Sequence, residues 1–302
     1  MRFAEIEGLP PISKIGLGTW QFGTREWGYG REYAGSEAGR IVRRALDLGV
    51  TLIDTAEIYG LGRSERIVGA ALRGRREEAF LATKLFPILP LAPVVEHRGA
   101  ASARRLGTHR IDLYQVHQPN PVVGDRPTMR GMRRLQDAGL VAAVGVSNYP
   151  LSRWRAVEAA LGGPVISNQV SYSLVQRGPE RELIPYAEAS GRLVIAHSPL
   201  ARGLLSARYD AEHRPRNLVR RWNRLFRTGS LRRAGPLFEL LEEIGKRHDA
   251  TPAQVSLAWT IRHPNVVAIV GASRAAQVDE NAAAAELDLS AAEIAELSAV
   301  AA

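Results

Sequence analysis

Apolar residues in this chain recur in short runs separated by longer amphipathic stretches, and the two kinds of segment alternate from end to end. The runs are 15–20 (IGLGTW), 52–54 (LID), 79–84 (AFLATK), 111–117 (IDLYQVH), 142–148 (AAVGVSN), 165–172 (VISNQVSY), 193–200 (LVIAHSPL) and 266–273 (VVAIVGAS). Short, nearly continuous runs of this kind fit strands buried on both faces. The stretches between them read as helices. Ile41, Ala45 and Leu48 share one face of a helix stopped at Gly49, and others follow at 64–72, 93–106, 128–138, 151–160, 181–190, 236–247 and 251–262. A helix holding Gln277 and Asn281 follows the last strand, and a short terminal helix takes 291–300.

Eight strand–helix pairs in 302 residues predict parallel βαβ units closed into one (β/α)8 TIM barrel that occupies residues 1–302. An open, doubly wound sheet is the alternative, but no GxGxxG follows the first strand to support a Rossmann nucleotide site. No linker interrupts the alternation, but the seventh unit is enlarged. Residues 202–233 contain ten arginines and read as an insertion after the seventh strand.

Composition narrows the chemistry. With no cysteine, the chain has no disulfides, thiolate nucleophiles or cysteine-bound metals, and its seven histidines lack metal-ligand spacing, so no metal is expected. A net charge of +9 raises polyanionic partners, yet the arginines are scattered and no zinc-finger or RNP signature accompanies them, which sets nucleic acid aside. No run of about 18 apolar residues and no secretory h-region are present, so the expectation is a cytoplasmic protein without membrane contact, monomeric by default. Of 40 basic residues only Lys14, Lys84 and Lys246 are lysine. Arginine stays charged at any working pH whereas lysine is tunable, so Lys84 at a strand end raises a functional question.

The active site of such a barrel lies at the carboxyl ends of its strands, and there the sequence sets Asp54, Lys84 and His117 on three neighbouring strands, with Tyr59 in the loop after the first. Each has a bland explanation alone: Asp54 a turn cap, Lys84 a surface cation, His117 a satisfied core residue. Together they make a set suited to protonating an oxygen as negative charge develops on it. Asp54 would hold Lys84, and the ammonium would favour the Tyr59 phenolate, easing proton release from a group whose pKa is ordinarily about 10. His117 would orient a carbonyl. The set carries no hydride, so a nicotinamide would have to bring one. A Schiff-base lyase using Lys84 is the competing chemistry.

These residues stand in motifs that resemble the aldo-keto reductase family across nearly the whole chain: GLGTW at 16–20, LIDTAEIYG at 52–60, Thr83-Lys84, IDLYQVH at 111–117, GVSN at 145–148 and GAS…QVDEN at 271–281. The resemblance implies an NADPH-dependent reductase of small aldehydes and ketones, with NADPH preferred to NADH, and a catalytic tetrad of Asp54, Tyr59, Lys84 and His117. It places Gly18, Thr19, Trp20 and Asp54 along the cofactor, with Ser147, Asn148 and Gln169 on the carboxamide. His197 falls where the family stacks an aromatic ring. Ser198, Leu200 and Gly203 follow the pyrophosphate, and Gly271, Ser273, Arg274, Gln277, Glu280 and Asn281 surround the adenosine 2′-phosphate and adenine. Trp20, Trp27, Tyr29 and Phe86 are the candidate substrate pocket, and segment 202–233 is either a clasp over the cofactor phosphates or a solvated loop. A cofactor-binding regulatory subunit with slow or no turnover is the alternative function.

Overall fold

The computed structural model of the chain describes residues 1–24, 29–30, 35–210, 212–215 and 221–301. Eight strands close a parallel barrel: β3 (Ile15–Gly18), β4 (Leu52–Asp54), β5 (Phe80–Leu85), β6 (Ile111–Val116), β7 (Val141–Ser147), β8 (Ser167–Ser171), β9 (Leu193–His197) and β10 (Val266–Gly271). Each pairs with the next, and β10 returns to pair with β3 in the register Ala268↔Ile15 to Gly271↔Gly18. That last pairing removes the free edges an open sheet would have, so the barrel reading stands and the doubly wound alternative falls.

The first six helices are α1 (Gly35–Asp47), α2 (Arg63–Ala71), α3 (Ala92–Leu106), α4 (Asp125–Asp137), α5 (Leu151–Leu161) and α6 (Leu183–Ala189). They are followed by α7 (Thr228–Arg247), α8 (Pro252–Thr260), α9 (Ala275–Ala283) and α10 (Ala291–Val300). Thr251 and Ser290 start α8 and α10 with reciprocal capping boxes, to Gln254 and Glu293 respectively. One expected boundary was misplaced. Pro236 reads as a helix start, but α7 begins at Thr228 and carries Pro236 inside it, because Leu231, Phe238, Leu241 and Gly245 form one buried face across the proline. The arginine-rich insertion is therefore partly helical at its C-terminal end. Before it, residues Ala201–Ser206 and Arg224–Phe226 form 3₁₀ turns.

An abbreviated hairpin, β1 (Phe3–Ala4) and β2 (Ile12–Ser13), plugs the lower end of the barrel. Ala4, Ile6 and Ile12 pack there against Leu52, Phe80, Leu113, Leu193 and Val267, the inward side chains of five strands. Since successive strand residues point to opposite faces, the residues two or four positions further along point inward at the upper mouth: Asp54, Lys84, Gln115 and His197. The apolar floor thus dictates the polar ceiling. Gly145 serves this layer, because a Cβ there would lie 2.2 Å from Ser167 Oγ and 2.9 Å from Gln115 Cγ.

A second close approach makes a stability prediction. A Cβ on Gly69 of α2 would sit 2.3 Å from the Leu106 carbonyl oxygen, which is backbone and cannot swing aside. Alanine is worth up to about 1 kcal/mol over glycine in a helix, but overpacking costs about 1–3 kcal/mol, so Gly69→Ala lowers unfolding free energy in urea despite its better helix propensity.

Candidate active site

Asp54 is the last residue of β4 and Lys84 the fifth of β5, and both side chains are inaccessible to solvent, at 1% and 0% exposure. Lys84 Nζ donates to Asp54 Oδ2 at 2.5 Å, to the Thr55 carbonyl at 3.0 Å and to Tyr59 Oη at 3.4 Å. Three donors of one ammonium thus meet three oxygens. Asp54 Oδ1 accepts from Gln169 Nε2 at 2.8 Å and lies 3.5 Å from Gln115 Nε2, so its second oxygen is also satisfied. The strand end is pinned from the other side by Thr19, whose amide and hydroxyl both donate to the Asp54 carbonyl, at 2.9 and 3.0 Å. Ser64 ties Thr19 to Thr55 through its hydroxyl.

Burial opposes charge on Lys84, but the carboxylate of Asp54 and the Tyr59 oxygen outweigh it and raise the ammonium's pKa above its ordinary value. At Tyr59 the balance goes the other way. Burial pushes the phenol up, Lys84 pulls it down, Asp54 pushes it up again, and the result lies above 10.0. Lys84 pulls the phenol toward ionisation as expected, but burial first and Asp54 after it outweigh that pull, and the hydroxyl stays protonated. A protonated phenol is what a proton donor requires.

His117 follows β6, and its ring stands edge-on to Tyr59 with centroids 5.7 Å apart. Burial, then Lys84 and His197, lower its pKa to about 3, so the imidazole is neutral at any ordinary working pH. Its Nδ1 is buried without a hydrogen-bond partner among the described residues. Trp20 lies 6.5 Å from the Tyr59 ring and is 46% exposed, while Phe86 meets His117 edge-on at 5.9 Å, so these two flank the polar cluster. Tyr29 packs on the hydrophobic core with the Arg63 guanidinium 5.8 Å from its ring centre. Trp27 lies outside the described residues.

Further round the mouth, Asn148 follows β7 in the left-handed conformation at φ 61°, which asparagine tolerates better than most residues. Its amide nitrogen donates to Ser147 Oγ at 3.0 Å and its oxygen lies 3.3 Å from His197 Nε2. Ser147 Oγ in turn donates to the Gln169 carbonyl at 2.8 Å. Burial, then Lys84 and Arg202, lower the His197 pKa to about 4, and Ser198 Oγ lies 3.4 Å from its Nδ1. Ser198, Ala201, Arg202 and Gly203 all have positive φ, so the chain after β9 is sharply coiled. At α9, Gln277 Oε1 accepts from the Ser273 amide and hydroxyl, and no side chain caps the first turn, where Arg274 is exposed. Glu280 accepts from Thr251 Oγ1 and pairs with Arg208 at 3.7 Å, and Asn281 is buried. Among the described residues, a helix N-terminus without a side-chain cap beside the exposed Arg274 fits a phosphate. The amides of Asn148 and Gln169 fit a carboxamide. The residues at hand therefore suit a nicotinamide dinucleotide.

Sequence reasoning missed Gln115, which touches Asp54 at the barrel mouth, and Ser167, whose Oγ lies 3.5 Å from Gln115 Oε1. The signal was present, since Gln115 lies on β6 two residues before His117. Among the described residues no group of three or more His, Asp or Glu side chains could hold a metal, and no helix is long and apolar enough to cross a membrane.

The three depressed histidines give a pH prediction. His117, His197 and His263 have folded pKa values of about 3, 4 and 4, against about 6.5 when unfolded. The unfolded chain binds more protons between those limits, so stability present above pH ~6.5 is lost as pH falls. His213, raised by its hydrogen bond to Asp210, and Glu57, raised by burial, act oppositely. The urea midpoint therefore drops between about pH 6.5 and 5, and His117→Asn with His197→Asn flattens that slope.

A closed parallel barrel whose upper mouth buries a lysine–aspartate pair against a protonated tyrosine has the architecture of a barrel oxidoreductase. The chain belongs to the aldo/keto reductase family, whose model matches residues 14–302. An uncharacterized oxidoreductase of Mycobacterium tuberculosis is 55% identical to it over 96% of this chain and 90% of its own length. Methylglyoxal reductase of Escherichia coli is 34% identical over 98% and 93% of the two chains. The crystal structure of an aldo/keto reductase from Klebsiella pneumoniae in complex with NADP and acetate is 30% identical and superposes with a TM-score of 0.78, covering 98% of this chain and 93% of that one.

Proposed function

We propose that residues 1–302 form one barrel domain that reduces aldehydes and ketones to alcohols, acting as a monomer in the cytoplasm, with Asp54, Tyr59, Lys84 and His117 as the catalytic set. The observation that carries this reading is Lys84 Nζ standing between Asp54 Oδ2 at 2.5 Å and Tyr59 Oη at 3.4 Å, with the Lys84 and Asp54 side chains sealed from solvent. NADPH, when bound, supplies the hydride. Tyr59 gives its hydroxyl proton to the substrate oxygen. Lys84, held by Asp54, stabilises the charge left on Tyr59 Oη, and the neutral His117 ring donates a hydrogen bond that orients the carbonyl. Trp20 and Phe86 line the substrate side. Ser147, Asn148 and Gln169 hold the carboxamide and His197 lies beside the ring. Gly18, Thr19, Ser198, Leu200 and Gly203 follow the dinucleotide, and Gly271, Ser273, Arg274, Gln277, Glu280 and Asn281 enclose its adenosine end.

The NADPH preference rests on Arg274, a permanent cation at the α9 N-terminus suited to a 2′-phosphate. A Schiff base on Lys84 is disfavoured, because a nucleophilic amine must lose the proton that Asp54 and Tyr59 retain. The test is fluorescence titration with NADPH and NADH, followed by turnover on a panel of small carbonyls including methylglyoxal. The expected result is tighter NADPH binding that Arg274→Ala weakens, and reduction of at least one aldehyde. Cofactor binding with no turnover would leave the regulatory reading, and no binding of either nicotinamide would remove both.

A further inference from the structure

We propose that the Glu57–Arg98 ion pair is a positioning device for the proton donor, fastening the loop that carries Tyr59 to the strand that carries Lys84. The proposal rests on the reading of Tyr59 as that donor.

Glu57 lies two residues before Tyr59, and its side chain is only 9% exposed. Its Oε1 accepts from the Phe86 amide at 2.5 Å and from Arg98 Nη2 at 2.6 Å, while Oε2 accepts from Arg98 Nε at 3.0 Å. Its own amide donates to the Lys84 carbonyl at 3.3 Å. One residue therefore grips the end of β5 twice, on both sides of Leu85, through main chain and side chain. Arg98 comes from α3, and its Nη1 reaches the Ile88 carbonyl at 3.3 Å, so the same guanidinium also holds the loop that follows β5.

This is not a typical surface salt bridge, most of which contribute little. It is bidentate, largely buried and shared with a backbone amide, the geometry in which charge-assisted hydrogen bonds are strongest and most directional. What it fixes is the longest of the Lys84 contacts. Of the three oxygens around Lys84 Nζ, Tyr59 Oη is the farthest, at 3.4 Å, and Tyr59 is reached only through the loop after β4. Phe86, whose amide Glu57 holds, also sets its ring edge-on to His117. Releasing the carboxylate frees both sides of the donor's surroundings at once. A misplacement of about 1 Å can cost ~100-fold in rate.

The test uses the full-length chain with NADPH and an aldehyde that the wild type reduces. Glu57→Gln, Arg98→Met and the double variant are compared for kcat, KM, NADPH affinity by fluorescence and hydrogen exchange in residues 55–62, with Tyr59→Phe alongside. The expected result is kcat lowered about 10–100-fold in each single variant, NADPH affinity within about twofold, faster exchange in 55–62, and a double variant no worse than the worse single one. Arg98→Met alone carries the test where Glu57→Gln does not fold. Single variants with kcat within twofold of wild type overturn the proposal, as does a loss of NADPH affinity parallel to the loss of kcat, which marks general loosening. Tyr59→Phe inactive beside an unaffected Glu57→Gln defeats the positioning role alone, whereas an active Tyr59→Phe defeats the proton-donor reading and this proposal with it.

Discussion

Tyr59→Phe is expected to lower kcat about 1,000-fold while leaving NADPH affinity within about twofold, since positioned general acids contribute roughly 10²–10⁴-fold. A thousandfold loss corresponds to about 4 kcal/mol of transition-state stabilisation. The substitution removes one oxygen and keeps the ring, so the contacts with Trp20 and His117 persist. Lys84 retains Asp54 and the Thr55 carbonyl, which keeps its ammonium paired and the fold intact. Single-turnover measurement with bound NADPH isolates the chemical step. Near-normal turnover would show that another group or water delivers the proton, and a lost cofactor affinity would make Tyr59 a binding residue instead.

Lys84→Met is expected to be inactive and also markedly less stable. It leaves the Asp54 carboxylate buried with only the amides of Gln169 and Gln115, at 2.8 and 3.5 Å, and breaking one side of a buried pair costs about 3–5 kcal/mol. The double variant Asp54→Asn/Lys84→Met should recover most of that stability, because no charge then remains unpaired, yet stay inactive. Urea unfolding of the three proteins separates the two effects. A Lys84→Met protein as stable as wild type would mean that the pair is not desolvated as described, and a double variant with substantial turnover would remove Lys84 from the mechanism.

The catalytic candidates were legible because each sits at a strand's exit and the strands are consecutive. Asp54, Lys84 and His117 could be aligned by counting, and Tyr59 followed from its distance to Asp54. Their electrostatics were not legible. Lys84 faces both a carboxylate and a phenol, and the sign of the Tyr59 shift is set first by burial and then by the distances to Lys84 and Asp54, which no spacing in the chain encodes. Glu57 was passed over for the same reason: its partner Arg98 lies 41 residues away on a helix whose rotation the pattern leaves open. Pro236 misled because proline is tolerated inside α7, where a long buried face holds the helix together across it.

What this chain's sequence determined by itself is the alternation of eight apolar runs with helices, and with it the parity of each strand. Leu52 inward requires Asp54 inward, and Phe80 inward requires Lys84 inward, because side-chain direction along a strand repeats every two residues. Only the tertiary structure decided how far apart those inward groups stand. Closure of β10 onto β3 curves the sheet until Gln169 of β8 reaches Asp54 of β4 across the barrel mouth, 115 residues away in the chain. That distance, with the solvent excluded from it, is what turns an acid, a lysine and a phenol into one coupled group.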